Sequence, residues 1–207
     1  MSWPHVLSFS RILLGPIVAA LVLAKPGDTY LVAAALFAAA SFTDMIDGKL
    51  ARYSQRVSPL GIFLDTTADK VLVALTLVAM AMAGLCDGWI PMVVIGREFL
   101  ISGLRSYAAS RDRIISAHIW GKGKTVVSMV AIIAILVAAA GKSGALPGSS
   151  EAWRSAFTAS SWLLVLGAVL TILSGARYLI DAWPLFRAEP DLVGKSDVQR
   201  IAAGGKR

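Results

Sequence analysis

Three stretches of this sequence, Val6 to Ala24, Thr29 to Thr43 and Thr125 to Ala140, contain almost no ionisable residue. Each approaches the roughly 20 residues that cross a bilayer core. Only 16% of the residues are charged, against roughly 25% in an ordinary soluble domain, so a water-soluble globule is disfavoured. The chain reads as an integral membrane protein. Apolar runs set against turn residues predict spans near 6–24, 29–48, 61–84, 89–107, 122–140 and 156–180. The breaks fall at Lys25-Pro26-Gly27-Asp28, at Ser58-Pro59, at Gly84 to Gly88 and in the Gly/Ser/Pro-rich stretch Gly141 to Ser150.

Six spans of about 20 residues use on the order of 120 positions, which leaves no room for a separate soluble domain. The expected fold is all-α, a bundle of six transmembrane helices. Residues 1–186 form one membrane domain, and 187–207, with mixed charge and little apolar content, form a mobile cytoplasmic tail. Basic residues sort to one side. Lys49, Arg52 and Arg56 follow the second span, Arg111, Arg113, Lys122 and Lys124 lie between the fourth and fifth, and five more follow Tyr178. The opposite loops hold Lys25, Lys142 and Arg154. By the positive-inside rule both termini and the basic loops face the cytoplasm.

The formal net charge of +7 therefore reads as topogenic, and without an aromatic-rich basic module it does not indicate nucleic-acid binding. The single Cys86 can form no intrachain disulfide and reads as packing.

Four of the 13 acidic residues fall in one segment, DMIDGKLARYSQRVSPLGIFLDTTADK, at the cytoplasmic ends of spans two and three. Asp44 and Asp47 are three apart, Asp65 and Asp69 four apart, so on helices each pair projects from one face, and adjacent helices can converge all four carboxylates. Carboxylates at membrane depth are costly unless a partner is present. Four oxygen donors suit hard cations such as Mg²⁺ or Mn²⁺, and a two-ion site that clamps phosphate oxygens is the natural reading. Gly48 and Ala51 continue the stripe of Asp44 and Asp47, and Gly61 lies one turn before Asp65. These small residues allow a bulky ligand close to the backbone, or simply close helix packing. Arg52 adds a fixed cation suited to phosphate.

With Asp44, Asp47, Gly48, Ala51, Arg52, Gly61, Asp65 and Asp69 at these spacings, the segment resembles the full signature of the CDP-alcohol phosphatidyltransferases. No signature position departs. The resemblance implies transfer of a phosphatidyl group from CDP-diacylglycerol to an alcohol with release of CMP, in a homodimer of a bacterial inner membrane with its active site facing the cytoplasm. It implies that Asp44, Asp47 and Asp65 are metal ligands and that Asp69 is both ligand and general base. It also places Asp44, Gly48, Ala51, Arg52 and Gly61 around the cytidine diphosphate.

For the acceptor, the fourth span carries Arg97 and Arg105 eight residues apart on one helical face in GREFLISGLRSY, and Lys122 and Lys124 open the fifth in WGKGKT. These four cations suggest an anionic alcohol. Both stretches resemble the branch of the family that uses glycerol 3-phosphate, although positive-inside charge also accounts for Arg105, Lys122 and Lys124. Arg97 lies near mid-span, where an arginine needs a cavity or an acid. Glu98, its neighbour, is expected to point elsewhere on the helix. Arg11, early in the first span, is either a topogenic charge or a counterpart of an arginine that recurs in the family. Two rival functions remain: a sister transferase using phosphatidylglycerol or inositol phosphate, and a cation or metabolite transporter, against which the chain shows no inverted repeat.

Overall fold

The computed structural model describes residues 3–24, 27–53, 59–110 and 120–187, with side chains described within 10–24, 27–43, 67–68, 70–110 and 125–183. The described residues form six helices and no strand: α1 (Trp3–Ala24), α2 (Gly27–Tyr53), α3 (Pro59–Met82), α4 (Trp89–Ala109), α5 (Trp120–Lys142) and α6 (Ser150–Arg187). The stretch assigned to a cytoplasmic tail lies outside the described residues beyond Arg187.

Local chemistry sets the helix ends. Gly84, at φ +72°, stops α3 in the left-handed region open to glycine. Its N–H donates to Ala81 O at 3.1 Å and that of Leu85 to Met80 O at 2.8 Å, the paired bonds of a glycine C-cap. Gly144, at φ +85°, ends α5 in the same way, with its N–H on Gly141 O and that of Ala145 on Ala140 O, both at 3.1 Å. At the start of α6 the Ser149 hydroxyl accepts the Ala152 N–H at 3.2 Å and Glu151 occupies the first turn, both favourable at a helix N-terminus. This cap starts α6 at Ser150 rather than near 156, and the helix runs to Arg187, for 38 residues.

The helices alternate in direction. Lys70 of α3 bonds Ser102 of α4, and Gly167 of α6 lies against Ser128 of α5 while Gly141 lies against Trp153. Gly27, opening α2, abuts Ser143 and Ala145 beyond the end of α5. Arg97 and Arg105 of α4 reach Ser174 and Tyr178 of α6, so these two run parallel. The C-terminal ends of α2, α4 and α6 therefore share one end of the bundle with the N-terminal ends of α3 and α5. Glycines bring the helices close: a Cβ at Gly167 would stand 2.7 Å from Ser128 Oγ, and one at Gly15 would stand 3.5 Å from Leu72 Cα.

The core joins Val18 and Val22 of α1, Phe37 of α2, Leu72 and Met80 of α3, Ile132 and Leu136 of α5, and Leu164 of α6. The outside is also apolar. Phe42, Met92, Trp162, Leu173 and Ile180 are among the large hydrophobic side chains left exposed, a surface suited to lipid rather than water. Two described segments are long and apolar enough to cross a membrane, Thr125–Lys142 with mean hydropathy 2.2 and Ser150–Trp183 with 2.0. Ser10–Ala24, Gly27–Thr43 and Lys70–Met82 are shorter apolar helical stretches.

Candidate functional site

Asp44, Asp47, Gly48, Ala51 and Arg52 lie on the last three turns of α2, and Gly61, Asp65 and Asp69 on the first three turns of α3. Both segments sit at the same end of the bundle, on helices that each pack against α1. Lys122 and Lys124 occupy the first turn or so of α5 at that end. The side chains of all ten residues lie outside the described ones, so the structure supplies their helical register and their end of the bundle. Among the described residues no group of three or more His, Cys, Asp or Glu side chains gathers.

Arg97 and Arg105 share a face, as their spacing predicts, and that face meets α6. An Arg97 Nη donates to Ser174 Oγ at 3.3 Å, and the guanidinium of Arg105 lies 6.0 Å from the centre of the Tyr178 ring, within cation–π range. Gly175 makes room for the first of these: a Cβ there would stand 3.0 Å from Arg97 Cγ. Glu98 corrects the sequence reading. Its carboxylate accepts from Arg97 Nη1 at 2.6 Å in an ion pair whose side chains are only 15% and 31% exposed. Neighbouring Cβ atoms on a helix do diverge, but two long flexible side chains can curl toward each other. The acid expected of a mid-span arginine is thus the residue beside it.

Arg11 is 2% exposed, inside the bundle. A topogenic charge has no need of burial, so that reading does not account for it. It lies one turn nearer the signature end than Gly15, whose neighbour is Leu72, and so at about the level of Ala68.

Sequence reasoning passed over Lys70. Its ammonium bonds Ser102 Oγ across the α3–α4 seam, immediately after Asp69 in the chain. Lys70 and Ser102 line a cavity of about 290 Å³ between α3, α4, α5 and α6, with Thr67 and Thr125 at the same end. The available signal was the one applied to Arg97: a lysine within an apolar span requires a partner or a cavity, and Lys70 has both.

Away from this end, Cys86 in the α3–α4 link packs against the core. Burial, and secondarily the nearby Asp87, raises its thiol pKa to about 11, so the reactive thiolate is scarce near neutral pH. Trp153, in the first turns of α6, packs over Gly141 and Gly148.

Comparison with known proteins bears on the same residues. A family model described as CDP-alcohol phosphatidyltransferase matches residues 1–173. The chain is 31% identical over 211 residues to the CDP-diacylglycerol--glycerol-3-phosphate 3-phosphatidyltransferase of Pseudomonas fluorescens, covering 99% of this chain and 100% of that protein. It is 33% identical over 192 residues to the protein of the same name from Bacillus subtilis (strain 168), covering 87% of this chain and 94% of the relative. A cardiolipin synthase (CMP-forming) from Oryza sativa subsp. japonica is 32% identical over 197 residues, 88% of this chain and 58% of that protein.

Proposed function

The chain belongs to the CDP-alcohol phosphatidyltransferase family, and from that premise we infer that it transfers a phosphatidyl group from CDP-diacylglycerol to glycerol 3-phosphate and releases CMP. The observation that carries this is the match to two glycerol-3-phosphate phosphatidyltransferases over 87% or more of the chain. It is a transferase of phospholipid biosynthesis, not a transporter.

The rest of the reading assigns residues. Carboxylate oxygens are the donor set of hard divalent ions, and Asp44, Asp47, Asp65 and Asp69, at one end of the bundle, would hold two ions, Mg²⁺ or Mn²⁺. Bound there, the metal would neutralise charge on the diphosphate. Gly48, Ala51 and Gly61 leave room beside the backbone for the cytidine diphosphate, and Arg52 binds its phosphate oxygens. Asp69 accepts the proton from the acceptor hydroxyl. That oxygen forms a bond to the lipid-side phosphorus, the bond from this phosphorus to the bridging oxygen breaks, and CMP departs with the electron pair. Arg97, Arg105, Lys122 and Lys124 bind the acceptor phosphate; Arg105, Lys122 and Lys124 lie toward the common end of α4 and α5, which supports their share, and Arg97 lies about two turns deeper on the same face as Arg105. Buried Arg11 adds a fixed positive charge near the α3 half of the signature.

In this reading all six helices span a bacterial inner membrane, both termini and the active site face the cytoplasm, and the enzyme is a homodimer. The loop charges support the orientation, and the bacterial relatives support the compartment. A second reading, transfer to phosphatidylglycerol, is favoured by the rice relative. Radiolabelled CDP-diacylglycerol offered with a panel of alcohols tests both. Glycerol 3-phosphate should yield the labelled product, and labelled cardiolipin formed from phosphatidylglycerol, with no product from glycerol 3-phosphate, would transfer the assignment to the second reading.

A further inference from the structure

Along its length α4 changes partner. Toward its start, Ile90 and Val94 belong to the main core with Leu77 and Met80 of α3, and the short link through Gly84 to Gly88 keeps the two helices together. Toward the signature end, Ile101 and Leu104 join Tyr178 and Ala182 of α6 in a second cluster, and Arg97 and Arg105 lie against Ser174 and Tyr178 of the same helix. There α3 and α4 flank the cavity, so apolar packing does not by itself fix how far apart they stand. Lys70 crosses this gap. Its stem starts on α3, and its ammonium bonds the Ser102 hydroxyl of α4. Glu98, one turn before Ser102, lines the cavity with them, so α4 offers a hydroxyl and a carboxylate on the side where the lysine arrives. A cation in an apolar helix is costly without such partners, and packing alone is served better by an uncharged side chain.

We propose that Lys70 is a positioning residue of the transfer reaction: its bond to Ser102 sets the separation between the aspartates of α3 and the acceptor-binding face of α4. The inference rests on the roles of Asp69 and Arg105 proposed above. Lys70 follows Asp69 on α3, and Ser102 lies three residues before Arg105 on α4. Neighbours on one helix keep a fixed rise of about 1.5 Å per residue, so what fixes Lys70 against Ser102 also fixes the Asp69 backbone against that of Arg105. Attack on the lipid-side phosphorus needs the acceptor hydroxyl brought to that atom, and the two substrates are held on different helices. An error in the spacing therefore slows the step without weakening the hold on either substrate. A misplacement of about 1 Å is worth on the order of a hundredfold in rate.

The full chain in detergent micelles is assayed for CMP release, with kcat and both KM values measured for CDP-diacylglycerol and glycerol 3-phosphate and a melting temperature taken for each variant. Lys70→Met should lower kcat about tenfold to hundredfold, while each KM stays within about twofold of the parent. Ser102→Ala should lower kcat in the same direction, and the double variant should be no slower than Lys70→Met, because the second substitution removes a contact already lost. Lys70→Arg, which keeps the charge and the donors on a long stem, should recover most of the rate. If Lys70→Met does not fold, Ser102→Ala against Ser102→Thr carries the test, the first slow and the second, with its hydroxyl retained, near the parent. A raised KM for either substrate at unchanged kcat would make Lys70 a ligand and overturn the proposal. So would losses that multiply in the double variant, or a lower melting temperature at the parent's kcat, the mark of a purely structural bond. In those three cases CMP is still released and the transferase reading stands; failure of the parent protein to release CMP removes that reading instead.

Discussion

The Arg97–Glu98 pair poses a question that stability and affinity answer separately. The oxygen–nitrogen distance is 2.6 Å and the side chains are 15% and 31% exposed. At an effective dielectric constant of about 20 the gross attraction at that distance is on the order of 6 kcal/mol, and desolvation of both ions cancels most of it. Pairs of this kind retain a coupling of about 1–3 kcal/mol. Removing Arg97 alone leaves the carboxylate without this partner, and removing Glu98 alone leaves Arg97 only its Ser174 bond among the contacts described here. Arg97→Gln, Glu98→Gln and the double variant are therefore followed by thermal unfolding in one detergent, where about 2–4 °C corresponds to 1 kcal/mol for a chain of this size. The double variant should be more stable than the sum of the single losses predicts, by about 2–12 °C. Acceptor affinity should behave differently. If Arg97 holds the phosphate of glycerol 3-phosphate, Arg97→Gln raises its KM about tenfold to hundredfold, Glu98→Gln does not, and the double variant recovers stability without recovering KM. Strictly additive melting shifts would refute the ion pair as a stabilising contact, and an unchanged KM in Arg97→Gln would remove the residue from the acceptor site.

Asp65→Ala and Asp69→Ala should each leave a folded protein with transfer reduced at least hundredfold, and a chelator should stop the parent reaction until Mg²⁺ or Mn²⁺ is restored; near-normal turnover in either variant at saturating metal speaks against a shared site. With both termini cytoplasmic, an impermeant maleimide should label Lys142→Cys from outside and spare Arg56→Cys, and the reverse pattern inverts the orientation. Cys86 should stay silent in that experiment, because burial and Asp87 hold its thiol protonated up to about pH 11, and labelling should rise only as the pH approaches that value. Gly141→Ala drives a Cβ into the Trp153 ring and should cost about 1–3 kcal/mol, read as a lower melting temperature that Trp153→Leu partly restores.

Helix number and most helix ends were legible because apolar runs and Gly/Pro punctuation act locally. Gly84 and Gly144 stop helices through their own backbone conformation, which the sequence declares. The start of α6 was missed although Ser149 and Glu151 carry an N-terminal signal, because hydropathy alone reads Ser150 to Arg154 as loop. The eight signature residues stand out in the sequence as a candidate site, since four acids in an apolar chain need a common partner, and the structure adds their helical register and their end of the bundle. The Arg97–Glu98 contact was not, because helical spacing describes where Cβ atoms start rather than where long side chains end. The cavity beside Lys70 was invisible for another reason: its volume depends on the separation of four helices far apart in the chain.

The length of α6 ties this enzyme to the physical state of its membrane. Its apolar part, Ser150–Trp183, covers 34 residues and extends about 51 Å along the helix axis at 1.5 Å per residue, whereas a bilayer with its headgroup regions measures about 40–45 Å. A rod that outreaches its slab leans, and the lean grows as the slab thins. Ser174 and Tyr178 of this rod bear on Arg97 and Arg105, so two side-chain contacts tie α4 to any lean of α6.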